Sequence, residues 1–256
     1  MAMRKRLVAL LATATVLVFA GTASAVFPNF SDCPLRERGN GCIDIQNTSG
    51  NLNIKGFNVP LGASLEIRGG LRSTEEGNTF VAPRGTNGFF SRAVPVPGGL
   101  LGIEFPIPGN EVLAITELAG PPSSIHIEVG DQSIRMPVRV RLVNVLLGMN
   151  CHIGTERRPV TLTLITGTTE PPAPNRPISG RVGAFSAEGT AEGDIIVRFT
   201  GNQNVENSFS VPGATECGLG LGLINALVNA KLRIPSAGGN NSIEVTNNVA
   251  LKAIEH

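Results

Sequence analysis

The chain has 256 residues, with 21 basic and 20 acidic side chains, and it contains neither Trp nor Tyr. A near-neutral balance excludes the broad basic surface that nucleic-acid binding uses. The missing amphipathic rings count against a sugar-stacking platform and against the aromatic girdle of an outer-membrane barrel.

Arg4, Lys5 and Arg6 precede an apolar run from Leu7 to Ala20, and Ala23, Ser24 and Ala25 follow it. These are the charged region, apolar region and small-residue cleavage site of a secretory signal. The apolar run has 14 residues, short of the roughly 20 that span a bilayer core, and Pro28 stops a helix from continuing. The expectation is a cleavable signal peptide over residues 1–25 and a mature protein over 26–256, secreted or associated with the cell envelope. Losing three of the 21 basic residues leaves 18 against 20 acidic ones, a net charge of −2. No later run approaches a spanning length, so no transmembrane segment is expected after cleavage.

Cys33, Cys42, Cys151 and Cys217 form an even set in a chain bound for an oxidising compartment, which predicts disulfides. Three connectivities are open. The short loop containing Pro34, Gly39 and Gly41 favours Cys33 with Cys42, which leaves Cys151 with Cys217. No C-x-x-C pair occurs and the histidines number three, so neither a zinc site nor a cofactor is expected.

With 31 Gly and 18 Pro, breakers recur at about the spacing of strands and turns. Alternation marks strands at Ile43 to Ile45, Leu52 to Ile54 and Leu65 to Ile67. The strongest signal is a hairpin, with Ile125, Ile127 and Val129 on one arm and Ile134, Met136, Val138, Val140 and Leu142 on the other. A loop at 130–133 would set Glu128 opposite Arg135, and Pro137 requires an unpaired edge on the second arm. Further strands are expected at Val160 to Leu164, Ile195 to Phe199 and Phe209 to Val211, and turns at the Val96-Pro97-Gly98, Ile107-Pro108-Gly109 and Val211-Pro212-Gly213 triplets. Residues 218–232 hold the one plausible helix, with Leu223, Leu227 and Val228 as its apolar stripe. The fold class is all-β: a disulfide-tied antiparallel sandwich or barrel with one short helix. The Pro-rich stretch 169–177 reads as a loop inside a single domain, because a Cys151 to Cys217 bond would straddle it. Two β domains divided there are the alternative.

The runs Asn150-Cys151-His152-Ile153-Gly154, Val160-Thr161-Leu162-Thr163-Leu164, Thr166-Gly167-Thr168-Thr169 and Ser208-Phe209-Ser210-Val211-Pro212-Gly213-Ala214, with Cys217, resemble uncharacterised secreted β-rich proteins of high-GC Gram-positive bacteria. The resemblance covers the C-terminal half and implies export, with Cys151 and Cys217 in the framework. It carries no activity and no functional residues.

The surface-site candidates are His126, Glu128, Arg135, Arg139 and Arg141, which the hairpin would place on one face. Two ligand-type residues beside three arginines suit salt bridges better than a bound cation, and a solvated face that discourages edge pairing is the simplest role for them. The glycines 218, 220 and 222 lack the Lys-Ser/Thr and the βαβ setting of a phosphate loop. The Asn47 and Asn240 sequons are surface-loop signals at most, and no nucleophile elbow occurs. The leading expectation is a structural or partner-binding protein with an unknown protein or cell-envelope partner. The alternatives are a carrier for a small hydrophobic ligand, and a hydrolase with a convergent carboxylate site, which requires an apolar cleft containing an acid of raised pKa.

Overall fold

The structure, a computed structural model, describes residues 27–74, 77–103, 107–122, 124–218 and 222–255. The expected signal segment, its cleavage point before Val26, Gly220 and His256 lie outside them. The described chain is built from antiparallel strands and one helix, and two disulfides tie it.

The first sheet centres on β1 (Gly41–Ile54), where the two expected segments at 43–45 and 52–54 join into one strand, with a bulge at Thr48 between them. Its neighbours are β15 (Asn241–Ala253) on one side, and β3 (Leu65–Thr74) and β2 (Phe57–Pro60) on the other. Beyond β15 come β13 (Ile195–Glu206) and the edge strand β12 (Ala184–Gly189); beyond β3 come β4 (Gly77–Val81) and β5 (Phe89–Ser91).

The spine of the second sheet is β9 (Gln132–Val143). One of its edges carries β8 (Ser124–Ile127) and then β7 (Leu113–Leu118), which pairs β6 (Val94–Pro95). The other edge carries β11 (Val160–Ile165) and then β10 (His152–Ile153), which pairs β14 (Ala214–Thr215).

The two sheets are halves of one continuous antiparallel sheet of 15 strands, joined at two seams that each consist of a single residue pair: Asn78 with Ile125, and Ile165 with Val205. The result is intermediate between a sandwich and a closed barrel. At the second seam the buried Glu206 stands in for a missing ladder, its carboxylate accepting the Thr163 N–H at 2.9 Å and the Ser208 N–H at 2.8 Å.

Alternation sets the core. Ile134, Met136, Val138 and Leu142 of β9, and Val160, Leu162 and Leu164 of β11, point inward against Ile43, Ile54 and Ile243 of the first sheet. The arms at 125 and 134 pair, but two residues per arm from the expected register: Ile125 lies opposite Ile134, His126 opposite Ser133 and Ile127 opposite Gln132. The turn is 128–131, closed by Glu128 N–H to the Asp131 carbonyl. A two-residue displacement keeps every side chain on its face, so periodicity cannot detect it. What draws Gln132 into the sheet is Thr166, whose hydroxyl accepts the Gln132 N–H while its own N–H reaches the Gln132 carbonyl.

Pro137 occupies the gap where the neighbour of β9 changes from β8 to β7. Its carbonyl accepts the Ala119 N–H, so the missing donor faces that gap, on the side away from β11.

Three expectations need correction. Phe209 to Val211 is no strand, since only Val211 bridges, to Ser236, and the triplet at 211–213 makes no turn, unlike those at 96 and 107. Asn47 is buried inside β1, where its side chain holds Gly62 and Leu65 rather than facing solvent. The stretch 169–177 forms neither strand nor helix: it turns at Ala173–Pro174, and Asn175 donates to the carbonyls of Asn207 and Asn241.

Candidate functional site

A cleft of about 680 Å³ opens where the one helix, α1 (Leu223–Leu232), stands against two loops at an end of the second sheet. Gly222 begins the helix in a left-handed conformation without a side-chain cap. Arg233 ends it, also left-handed, with its N–H on the Asn229 carbonyl. Two asparagines on one side clamp the helix to β14 and the residues just after it: Asn229 accepts the Ala214 N–H at 2.7 Å, and Asn225 accepts the Cys217 N–H at 2.9 Å.

That clamp orients two parallel stripes. Ile224, Val228 and Leu232 turn towards the core, and Leu223, Leu227 and Lys231 run along the cleft beside them. The expected stripe of Leu223, Leu227 and Val228 is therefore split. Val228 is buried, whereas Leu223 and Leu227 are 70% and 63% exposed.

The facing wall is the turn at 97–102. The buried Asn110 shapes it by accepting the Leu101 N–H at 2.7 Å through its side chain and the Leu100 N–H at 2.7 Å through its carbonyl. Gly99 is needed there: its φ is +51°, and a Cβ would lie 2.1 Å from the Asn110 carbonyl oxygen. The third wall is the loop at 144–149, where the Asn144 side chain holds the Gly109 and Glu111 carbonyls and Leu147 is fully buried. On that loop Val145, Leu146 and Met149 are left in solvent.

Apart from glycines and Lys231, every described residue lining the cleft is apolar. Val96, Leu142 and Leu232 separate it from an interior cavity of about 110 Å³ between the two sheets. A broader trough of about 810 Å³ lies on the far side of Val96 and Gly99, bordered by Pro60, Pro97 and Pro108. It lacks the leucine walls of the cleft.

The candidates drawn from sequence lie elsewhere. His126 and Glu128 are well exposed at the hairpin tip, with His126 Nε2 3.8 Å from Glu128 and 3.9 Å from Asp131. Glu128 stands in the turn beyond the end of β8, so it does not face Arg135, whose cross-strand neighbours are Ser124 and Thr163. Arg139 and Arg141 converge on a residue the sequence did not single out, Glu117 of β7, through Nε contacts of 3.0 and 2.7 Å. Burial works to raise the Glu117 pKa, but the hydrogen bonds from Arg141 and Arg139 outweigh it and hold the carboxyl below its ordinary value. His152 Nε2 also lies 3.7 Å from Glu117. Among the described residues, no cluster of three or more His, Cys, Asp or Glu side chains is placed to hold a metal.

The four cysteines pair as Cys33–Cys42 and Cys151–Cys217, which takes Cys151 out of nucleophilic chemistry beside His152. A hydrolytic carboxylate site would need a perturbed acid in an apolar cleft. Asp44, fully buried on β1, has a pKa that burial pushes up to about 6. Its neighbours Asn29, Gln46, Glu66 and Arg68 do not line the cleft, and the described lining of the cleft holds no carboxylate.

Comparison with known proteins finds no matching family model, no similar curated protein and no similar solved structure. The cleft therefore rests on its own geometry. Its sequence trace is modest: Leu doublets outside the alternating strands, each beside glycine, at Leu100-Leu101 and Leu146-Leu147, together with the leucines that open α1.

Proposed function

We propose that the protein is an exported binding protein for a small apolar molecule, held in the cleft between α1 and the loops at 97–102 and 144–149. The observation that carries this reading is the cleft itself, a concave apolar space of about 680 Å³, within the range of small-molecule sites. Its rim leaves Leu101, Leu146, Leu223 and Leu227 more than half exposed. Such exposure costs about 25 cal/mol per Å² of apolar surface kept in water, and covering it with a ligand recovers that cost.

A concave site favours a carrier over a scaffold that meets its partner on a flat face. Support for export comes from the pattern of Arg4 to Ala25 and from two disulfides of the kind that persist outside the cytoplasm. Among the described residues no helix is long and apolar enough to cross a membrane.

The test is binding of Nile red, a neutral apolar dye, to the purified mature protein. Enhanced, blue-shifted emission that is lost in Leu227→Asp and Leu146→Asp, with the circular dichroism of both variants unchanged, is the expected result. No enhancement with the folded protein overturns the reading.

A further inference from the structure

The cleft has a polarity along its length that defines the chemistry of its occupant. Leu223, Leu227 and Lys231 lie four residues apart on α1, so two leucines and then one ammonium follow each other down the same wall. Lys231 is the one charged residue among the described lining. It is half-buried, and among the described residues no carboxylate lies within ion-pair distance of it; its nearest aromatic contact is the Phe57 ring, 5.6 Å from Nζ to centroid. The turn across the cleft comes close to this ammonium. Gly98 and Gly102 have φ of +68° and +79°, and a Cβ at either would stand 3.0 Å from Lys231 Nζ. A half-buried cation at the end of an apolar channel is incompletely solvated and gains most from an anion brought to it on an apolar body.

We infer that the ligand is a monomeric amphiphile, a long apolar tail ending in a carboxylate or similar anionic head, with the tail along Leu223 and Leu227 and the head on Lys231. This rests on reading the cleft as a ligand site. The same head group occurs on free long-chain acids and on anionic phospholipids. The concave cleft and the single cation among its described lining select the free, single-headed molecule over a membrane surface, which polybasic clusters recognise.

Calorimetric titration of the mature protein with hexadecanoate and with hexadecanol, each below its aggregation limit, tests the inference. The acid should bind about 10- to 100-fold more tightly than the alcohol, the difference that one charge-assisted contact makes. Lys231→Met should bring that ratio to about one and leave the affinity for hexadecanol in place. The wild-type ratio needs no variant, so a poorly folding Lys231→Met protein does not spoil the test. If Lys231 merely complements the C-terminal end of the helix dipole, the variant melts earlier with its acid-to-alcohol ratio unchanged, and the inference fails. Equal binding of both ligands overturns the anionic head while leaving the cleft as an apolar site. Binding of neither overturns both readings, and binding to phosphatidylglycerol vesicles alone assigns the surface to a membrane instead.

Discussion

Asp44 shows how one side chain sets a pH dependence for the whole protein. It is fully buried on β1, where Oδ2 accepts the Asn29 N–H at 2.7 Å and the Gln46 amide at 3.2 Å, while Oδ1 has no hydrogen-bond partner among the described residues. Burial raises its pKa from 3.8 to about 6, with nearby Glu66 adding to the rise, against the Asn29 hydrogen bond and the Arg68 charge. Between those values the folded protein binds the proton that the unfolded chain has already lost, so stability falls as pH rises through this window and the penalty is complete above about pH 6. The corresponding upper bound is roughly 3 kcal/mol. Asp44→Asn keeps an acceptor for Asn29 without the charge. It is expected to flatten the stability profile from pH 4 to 7 and to raise stability at pH 7; urea unfolding at both pH values that shows a less stable variant at pH 7 contradicts this. Glu117 works in the opposite sense. Its pKa is lowered, so its contribution is present above the unfolded value and is lost as pH falls through the folded one.

At the level of single elements, α1 separates residues buried in the core from residues exposed along the cleft. Leu232 is buried and shared between the cleft and the interior cavity, and Leu223 is 70% exposed. Leu232→Ala should cost about 2 to 5 kcal/mol, and Leu223→Ala should change stability by less than about 0.5 kcal/mol. Equal losses in urea unfolding would show that the rim leucines are part of the core. Glu206→Ala is expected to leave the Thr163 and Ser208 N–H groups unpartnered at the seam, at about 2 to 3 kcal/mol, with faster hydrogen exchange at Thr163; unaltered exchange there would remove the seam role. These elements also show what the sequence makes legible. Strand identity and the inward face of β9 follow from a period of two, but the hairpin register does not, because Thr166, 34 positions away, selects Gln132. The helix is likewise legible from its apolar repeat. Which of its two adjacent stripes faces in is decided by Asn225 and Asn229 gripping β14, residues that carry no hydrophobic signal. The cleft was harder still to foresee, since its walls are loops shaped by Asn110 and Asn144 through contacts to distant backbone.

Across the whole molecule, the Cys151–Cys217 bond connects stability to the candidate site. Its cysteines are fully buried beside the short β10–β14 pairing and close a loop of 66 residues, whereas Cys33–Cys42 closes nine at the start of β1, the central strand of the first sheet. In the chain-entropy account the longer loop contributes about 4 kcal/mol and the shorter about 2.5 kcal/mol. The long bond also binds two walls of the cleft together. Cys217 is followed by Gly218, whose N–H donates to the Leu147 carbonyl at 2.7 Å, and Cys151 lies just past the loop that carries Leu146. Removing it should therefore loosen the space between α1 and that loop, whereas removing the short bond should leave the cleft intact. The paired replacement Cys151→Ala with Cys217→Ala is expected to lose more stability than Cys33→Ala with Cys42→Ala, and to weaken Nile red binding at a temperature where both variants remain folded. Equal dye affinity in the two variants would detach the bond from the cleft, and a larger loss of stability in the Cys33 and Cys42 variant would show that loop length does not govern how these crosslinks stabilise the fold.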